Sequence, residues 1–207
     1  MPRRTGSSQR WRQRQERDIY VERANRAGWR SRAVFKLEQI QDKEHLLHRG
    51  TVCVDLGSAP GGWSQLAAKL VGPNGRVVAI DLLSMEPIPG VEFLQGDFTA
   101  PETLAQLRNL IGPKPIDLVI SDMAPNISGN RTIDQAGSLA LLDEALLFAR
   151  EVLRPGGDLL LKGFQGEGID AFTRELKGHF KAVKTLKPKA SRPESREIYL
   201  LARSFGM

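Results

Sequence analysis

Residues 51–63 read Thr-Val-Cys-Val-Asp-Leu-Gly-Ser-Ala-Pro-Gly-Gly-Trp, a β-branched apolar run that ends in an acid and passes directly into a glycine-rich turn. Thr51–Gly57 has the length and branching of a buried strand. Gly57, Gly61 and Gly62 let the following loop turn sharply and bring backbone close to a ligand. A helix is predicted near 62–71, closed by Gly72-Pro73-Asn74-Gly75. A strand, a glycine turn and a helix in that order begin a parallel βαβ unit.

The same alternation continues in both directions. Apolar runs at 76–82, 91–97, 116–125 and 158–164 are predicted strands, and 182–188 and 196–203 two more. Helical spacing is present over 101–111, 137–153 and 168–179, and the Arg154-Pro155-Gly156-Gly157 turn is expected to end the second of these. Upstream, a short helix is expected at 18–27. A second, with Ser31 as its N-cap, carries Ala33, Val34, Phe35, Leu37 and Ile40 together with Lys36. Short apolar strands separated by helices imply an α/β fold, a mostly parallel sheet covered on both faces. The last two strands are close enough in sequence to pair as a hairpin. We expect one domain over 18–207, preceded by a basic, flexible arm over 1–17.

Charge is distributed unevenly. Residues 1–36 hold ten Arg and one Lys against Glu16, Asp18 and Glu22, a balance of +8, whereas the whole chain carries +6. A second basic stretch, Lys177–Arg196, has seven basic residues and only Glu194 acidic. Basic segments flanking one domain suit a polyanion, because each neutralised phosphate releases counterions. Cys53 is the single cysteine, so no internal disulfide forms, and a reducing compartment is expected. His45, His48 and His179 lack the acids or thiols of a metal-ligand pattern, and no metal is expected. No apolar stretch is long enough to span a membrane, and the N-terminus has no apolar core of a secretory signal. The expected setting is cytoplasmic, and the expected state monomeric.

In a doubly wound fold, ligands bind at the carboxyl ends of the strands. Three predicted strands end there in acids. Asp55 and Gly57 open the first loop. Asp81, ending the second, can accept the hydroxyls of an adenosine ribose. Asp97, beside Phe98, can meet an adenine amino group. A nicotinamide dinucleotide needs G-x-G-x-x-G and a helix N-terminus open to its pyrophosphate. The loop here departs from that pattern. S-adenosylmethionine has no phosphate and requires acids near its cationic end, where Asp55 and Asp122 are placed.

On the segments SRAVFKLEQI (31–40), VDLGSAPGGWSQ (54–65), FLQGDF (93–98), SDMAPNISG (121–129), LRPGGDLLLKGFQGEG (153–168) and SREIYLLA (195–202), the chain resembles the FtsJ/RrmJ family of ribose 2'-O-methyltransferases. The resemblance is nearly full length and fails only over the first 17 or so residues. It implies a Rossmann-like class I methyltransferase fold with seven strands, the last antiparallel. It implies S-adenosylmethionine as cofactor, S-adenosylhomocysteine as product, and cofactor positions at Gly61, Trp63, Asp81, Asp97 and Asp122. It also implies a Lys-Asp-Lys-Glu catalytic set, which falls on Lys36, Asp122, Lys162 and Glu197. The implied substrate is a uridine ribose in the A-loop of large-subunit (23S) rRNA, within the assembled subunit.

A ribose hydroxyl is a weak nucleophile and must be oriented and lose its proton. A lysine accepts a proton only once burial or a neighbouring positive charge depresses its pKa. Lys162 is the expected base, with Asp122 holding it, Lys36 positioning the substrate and Glu197 orienting one lysine. The roles of the two lysines are interchangeable on sequence alone. A transfer RNA methyltransferase and a non-catalytic ribosome-assembly factor remain alternatives. A messenger RNA cap enzyme would need an aromatic-rich insertion that is absent.

Overall fold

A computed structural model describes residues 18–207; the arm expected over 1–17 lies outside the described residues. Among the described residues one sheet is built from β1 (Val52–Leu56), β2 (Arg76–Asp81), β3 (Val91–Gln95), β4 (Ile116–Ser121), β5 (Leu153–Phe164), β6 (Phe180–Leu186) and β7 (Glu197–Phe205). Its order is β3-β2-β1-β4-β5-β7-β6. Pairing from β3 to β5 is parallel, and β7 runs antiparallel to β5 and to β6. The mostly parallel, seven-stranded sheet with its last strand reversed is as expected. Strand order reverses between β1 and β4, so the loops leaving these two strands open a crevice at the carboxyl edge.

Among the described residues six helices cover the sheet: α1 (Ile19–Arg26), α2 (Val34–Glu44), α3 (Gly62–Val71), α4 (Pro101–Ile111), α5 (Arg131–Val152) and α6 (Ile169–His179). Alternation along each strand divides the core in two. Val54, Leu159, Leu161 and Leu200 pack with α4, α5 and α6. Cys53, Leu160, Tyr199 and Leu201 pack with α1, α2 and α3 on the other face. Asp18 caps α1 by accepting from the Tyr20 amide at 3.0 Å.

Several boundaries differ from expectation, and three of them have a clear physical cause. Ser31 is not the N-cap of α2. The chain makes an extra turn first, and Ala33 occupies the cap without a side-chain bond. Ser31 instead covers Gly62, where an added Cβ would fall 2.4 Å from its Oγ. Helix α5 starts at Arg131 rather than 137, because Asn130 Oδ1 accepts from the Thr132 and Ile133 amides at 3.0 and 3.4 Å. Its first three residues, Arg131, Thr132 and Ile133, are exposed and the next two, Asp134 and Gln135, are buried polar groups, so apolar periodicity missed it. Strand β5 begins at Leu153, before the Pro155-Gly156-Gly157 turn. Its register with β4 shifts between Ile116 and Leu118 to accommodate that turn. Asp117 secures the shift by accepting from Arg154 Nε at 2.5 Å and from the Val52 amide at 2.7 Å.

Leu160 sits at the centre of the sheet with no exposed surface, two residues before Lys162 on the same face. Leu160→Ala should lower stability by about 2–5 kcal/mol in urea denaturation, the range for a buried leucine leaving a cavity. A loss under about 1 kcal/mol would contradict this packing.

Candidate active site

Four side chains from distant parts of the sequence meet at the carboxyl edge of the sheet. Lys36 comes from the first turn of α2, Asp122 follows β4, Lys162 lies on β5 and Glu197 begins β7. Because β5 and β7 pair antiparallel, Lys162 lies opposite Tyr199 and Phe164 opposite Glu197. Glu197 and Tyr199, two residues apart, therefore face the same side of the sheet as Lys162.

The side chains form one continuous charged chain. Lys162 Nζ donates to the Asp122 carbonyl oxygen and lies 3.2 Å from Asp122 Oδ1. The same Oδ1 is 3.8 Å from Lys36 Nζ, which donates to Glu197 Oε2 at 2.8 Å. Ser191 Oγ donates to Glu197 Oε1 at 2.7 Å. Each of the four is at most 17% exposed. Buried charges persist only when paired and hydrogen-bonded, and this chain alternates sign with no net charge. Burial alone would raise the Asp122 carboxyl. The charges of Lys162 and Lys36 and a hydrogen bond from Tyr199 outweigh it and hold Asp122 below the usual carboxylate range.

Tyr199 is the residue that sequence reasoning missed. Its hydroxyl donates to Asp122 Oδ1 at 2.6 Å, and its ring lies 5.7 Å from Lys36 Nζ. Burial, with Asp122 and Glu197 nearby, pushes its ionisation well above the ordinary phenol range, so it remains a donor. In the sequence it sits in an apolar strand and reads as core. Ser191 gave no signal either, since only folding brings its loop to Glu197.

A cavity of about 260 Å³ adjoins this cluster and shares Asp122 with it. It lies across the carboxyl ends of β1, β2, β3 and β4, and is lined by Gly57, Asp81, Asp97, Phe98, Met123 and others. Gly57 has φ +75°, and a Cβ there would fall 2.4 Å from Met123 Cγ, so only glycine keeps this wall open. Asp81 accepts from the Ala59 and Leu83 amides, one on each oxygen, and each oxygen keeps a lone pair for a ligand. Asp97 is exposed, with Oδ1 held by the amide and hydroxyl of Thr99. These Thr99 bonds lower its pKa. Phe98 is mostly core, edge-on to Phe148 at 5.5 Å, with part of its surface on the cavity.

The remaining expected cofactor residues lie around this cavity rather than on its wall. Asp55 is fully buried behind Gly57, and accepts from Ser64 Oγ at 2.6 Å while its Oδ1 has no partner. Burial raises its carboxyl to about 7, with Asp122 and Asp81 adding and Ser64 opposing. Gly61 has φ +108° and packs under Met85 and Ile88. Gly62 starts α3 beneath Ser31. Trp63 turns away from the cavity. Its Nε1 donates to the Ala33 carbonyl at 2.8 Å, and its ring supports Tyr199 at 5.7 Å. It therefore braces the Lys36 turn and the Tyr199 ring.

A second cavity of about 210 Å³ opens on the other side of Glu197, lined by Arg32, Ala33, Lys36, Arg192, Ser195 and Glu197. Within the basic stretch 177–196, Lys184 pairs with Glu44 and Lys187 donates to the Ser195 carbonyl, and both side chains remain exposed.

The Asp55 carboxyl sets a stability prediction. The folded chain retains its proton to about pH 7, whereas an unfolded aspartate loses it near pH ~4, so folding is progressively weakened as pH rises between them. Asp55→Asn imitates the protonated form. Its stability relative to wild type in urea should rise by the order of 1–3 kcal/mol between about pH 5 and pH 8. A difference independent of pH would contradict the assignment.

Comparison with known proteins agrees with this geometry. Residues 29–205 match the FtsJ-like methyltransferase family. The chain is 52% identical over 200 residues to ribosomal RNA large subunit methyltransferase E of Alkalilimnicola ehrlichii, covering 97% of this chain and 96% of that one. It superposes with TM-score 0.78 on a Plasmodium falciparum protein provisionally classed as a ribosomal RNA methyltransferase, at 31% identity over 86% of this chain and 98% of that one. A Clostridium thermocellum protein provisionally classed as an rRNA methylase shares the fold, with TM-score 0.57 at 18% identity over 82% of this chain and 97% of that one. The reversed last strand, the glycine turn at Gly57–Gly62 and the family match together place this chain in the FtsJ-like methyltransferase family.

Proposed function

We propose that the protein uses S-adenosylmethionine to methylate a ribose 2'-hydroxyl in large-subunit ribosomal RNA, at a uridine of the A-loop in the assembled subunit. The observation that carries this reading is the buried chain Lys162–Asp122–Lys36–Glu197, which meets the nucleoside-sized cavity at Asp122. The rRNA substrate is supported by the Alkalilimnicola ehrlichii relative and the uridine target by the motif resemblance.

The residues present fit the cofactor. The open wall at Gly57, the remaining acceptors of Asp81 and Asp97, and the Asp122 carboxylate on the same wall suit a cationic nucleoside. S-adenosylmethionine, when bound, would supply a sulfonium methyl for in-line transfer to the ribose oxygen, with S-adenosylhomocysteine as the leaving group. Asp81 and Asp97 would hold the ribose hydroxyls and the adenine amino group. Lys162 first gives its own proton to solvent and then accepts the 2'-hydroxyl proton at Nζ, and Asp122 balances the ammonium that results. Lys36, fixed by Glu197 and Ser191, orients the ribose and its phosphate. Tyr199 keeps Asp122 aimed between the two lysines. Much of the rate comes from this placement, since holding two reactants in line supplies roughly 7–11 kcal/mol. Arg32 and Arg192 beside Lys36, with the positive charge of residues 1–36, would bind the RNA backbone.

The test is transfer of labelled methyl to large subunits, deproteinised rRNA and transfer RNA from cells lacking the protein. Label should enter large subunits and block alkaline cleavage at the adjacent phosphate. Label in transfer RNA alone would overturn the substrate. Lys162→Ala should reduce turnover by about 10²–10⁴ at saturating RNA, the usual contribution of a positioned proton acceptor; near-normal turnover would refute its role. Tyr199→Phe should reduce kcat by about tenfold with cofactor affinity unchanged, as one hydrogen bond to a charged group is lost. A change confined to thermal stability would assign Tyr199 to packing alone.

A further inference from the structure

A third cavity, of about 500 Å³, is not used by the reaction described above. Its walls are one face of the first turns of α5, with Arg131, Gln135 and Leu139, the loop after β5, with Glu167, and Arg196 just before β7. Arg196 and Glu197 are consecutive, and strand geometry sends their side chains to opposite faces. Glu197 thus lines the cavity beside Lys36, and Arg196 lines this one on the α5 side. The two openings flank the edge of the sheet that carries the charged chain.

The lining has the chemistry of a nucleotide site. Arg131 is exposed and its guanidinium has no partner among the described residues. Arg196 uses one N–H, to the Gln165 carbonyl at 3.4 Å, and lies over the Phe164 ring at 6.0 Å. A guanidinium has five donors, so most remain for a phosphate. Glu167 is exposed and offers an acceptor to the N–H edge of a base. Leu139 and Ala136 supply an apolar wall, and Ile133 next to it is 60% exposed. Gln135 is 7% exposed, and its Nε2 is tied to the Phe164 and Glu167 carbonyls at 3.1 and 3.0 Å. Those bonds leave Gln135 Oε1 buried without a partner and fix the loop that carries Glu167.

We propose that this cavity binds the nucleotide adjoining the methylated one, with its phosphate between Arg131 and Arg196 and its base against Leu139 and the Glu167 carboxylate. The RNA strand then crosses the sheet edge from the Lys36 side to the α5 side, and the target ribose is held between two anchored neighbours. The inference rests on the proposed RNA substrate. Splaying the neighbours apart would expose the reacting hydroxyl to Lys162, and reading a flanking base would add sequence selection that the charged chain itself lacks.

The experiment measures methyl transfer to large subunits and to subunits reconstituted with rRNA that carries an abasic site at each nucleotide flanking the target. Wild-type, Arg131→Ala, Arg196→Ala and Glu167→Gln proteins are compared across a salt titration. Each arginine variant should raise KM for the subunit about tenfold and reduce the salt slope by about 0.7, with cofactor affinity unchanged. For wild type, one abasic subunit should show a raised KM, and Glu167→Gln should reproduce that increase on the intact subunit without adding to it on the abasic one. Unchanged KM in all three variants, with active wild type, would overturn the subsite and leave the substrate intact. Wild type inactive on every subunit would remove both readings. Equal, additive losses from Glu167→Gln on intact and abasic subunits would assign Glu167 to the loop and overturn base contact.

Discussion

Asp122 is the point on which the arrangement depends. Its one carboxylate oxygen is approached by the Tyr199 hydroxyl at 2.6 Å and by the ammonium groups of Lys162 and Lys36 at 3.2 and 3.8 Å. Two ammonium groups brought this close would repel if left alone, and each would carry a desolvation cost. The carboxylate between them makes the cluster tolerable, and Glu197 balances the second lysine. Asp122 also lines the cavity at the carboxyl edge, so the charge that holds the lysines together faces the proposed cofactor site as well.

The fold exists to bring about this meeting. Asp122 leaves β4 at the switch point, next to the Gly57 turn from β1. Reversal of β7 lets residues 197 and 199 approach from the far side of β5, so Glu197 and Tyr199 flank Lys162. A parallel last strand would deliver the opposite end of β7 to this edge. On the α2 face, Trp63 ties the catalytic half to the glycine-turn half. It follows Gly62 immediately, yet its indole N–H holds the Ala33 carbonyl, three residues before Lys36. A helix that begins at the glycine turn thereby fixes the turn that carries Lys36.

Much of this was legible in the sequence, for physical reasons that can be named. Buried parallel strands are nearly all apolar, so β1, β2 and β4 stood out, and their terminal acids marked the ligand edge. Helices α3 and α4 were bounded by strong turns, Gly72-Pro73 and Gly112-Pro113, and fell as predicted. The start of α5 was not legible because its exposed residues 131–133 and buried polar Asp134 and Gln135 carry no apolar spacing, and Asn130 fixes the start instead. Ser31 looked like a cap and instead shields Gly62. The four charged residues could be named only through motif resemblance, since a lone lysine on a helix or at a strand end is usually a surface group. Tyr199 and Ser191 stayed hidden because their roles are set by contacts across 77 and 6 residues that no local pattern records.

The most direct test of the account is a double-mutant cycle on the single-turnover methyl-transfer rate, using Asp122→Asn, Lys162→Ala and the pair together at saturating RNA and cofactor. Residues that act as a unit lose their contributions together. If Asp122 works by holding Lys162, the double variant should be no slower than the slower single variant. If the two losses multiply, Asp122 and Lys162 act independently, and a carboxylate-centred charged chain is not the basis of catalysis.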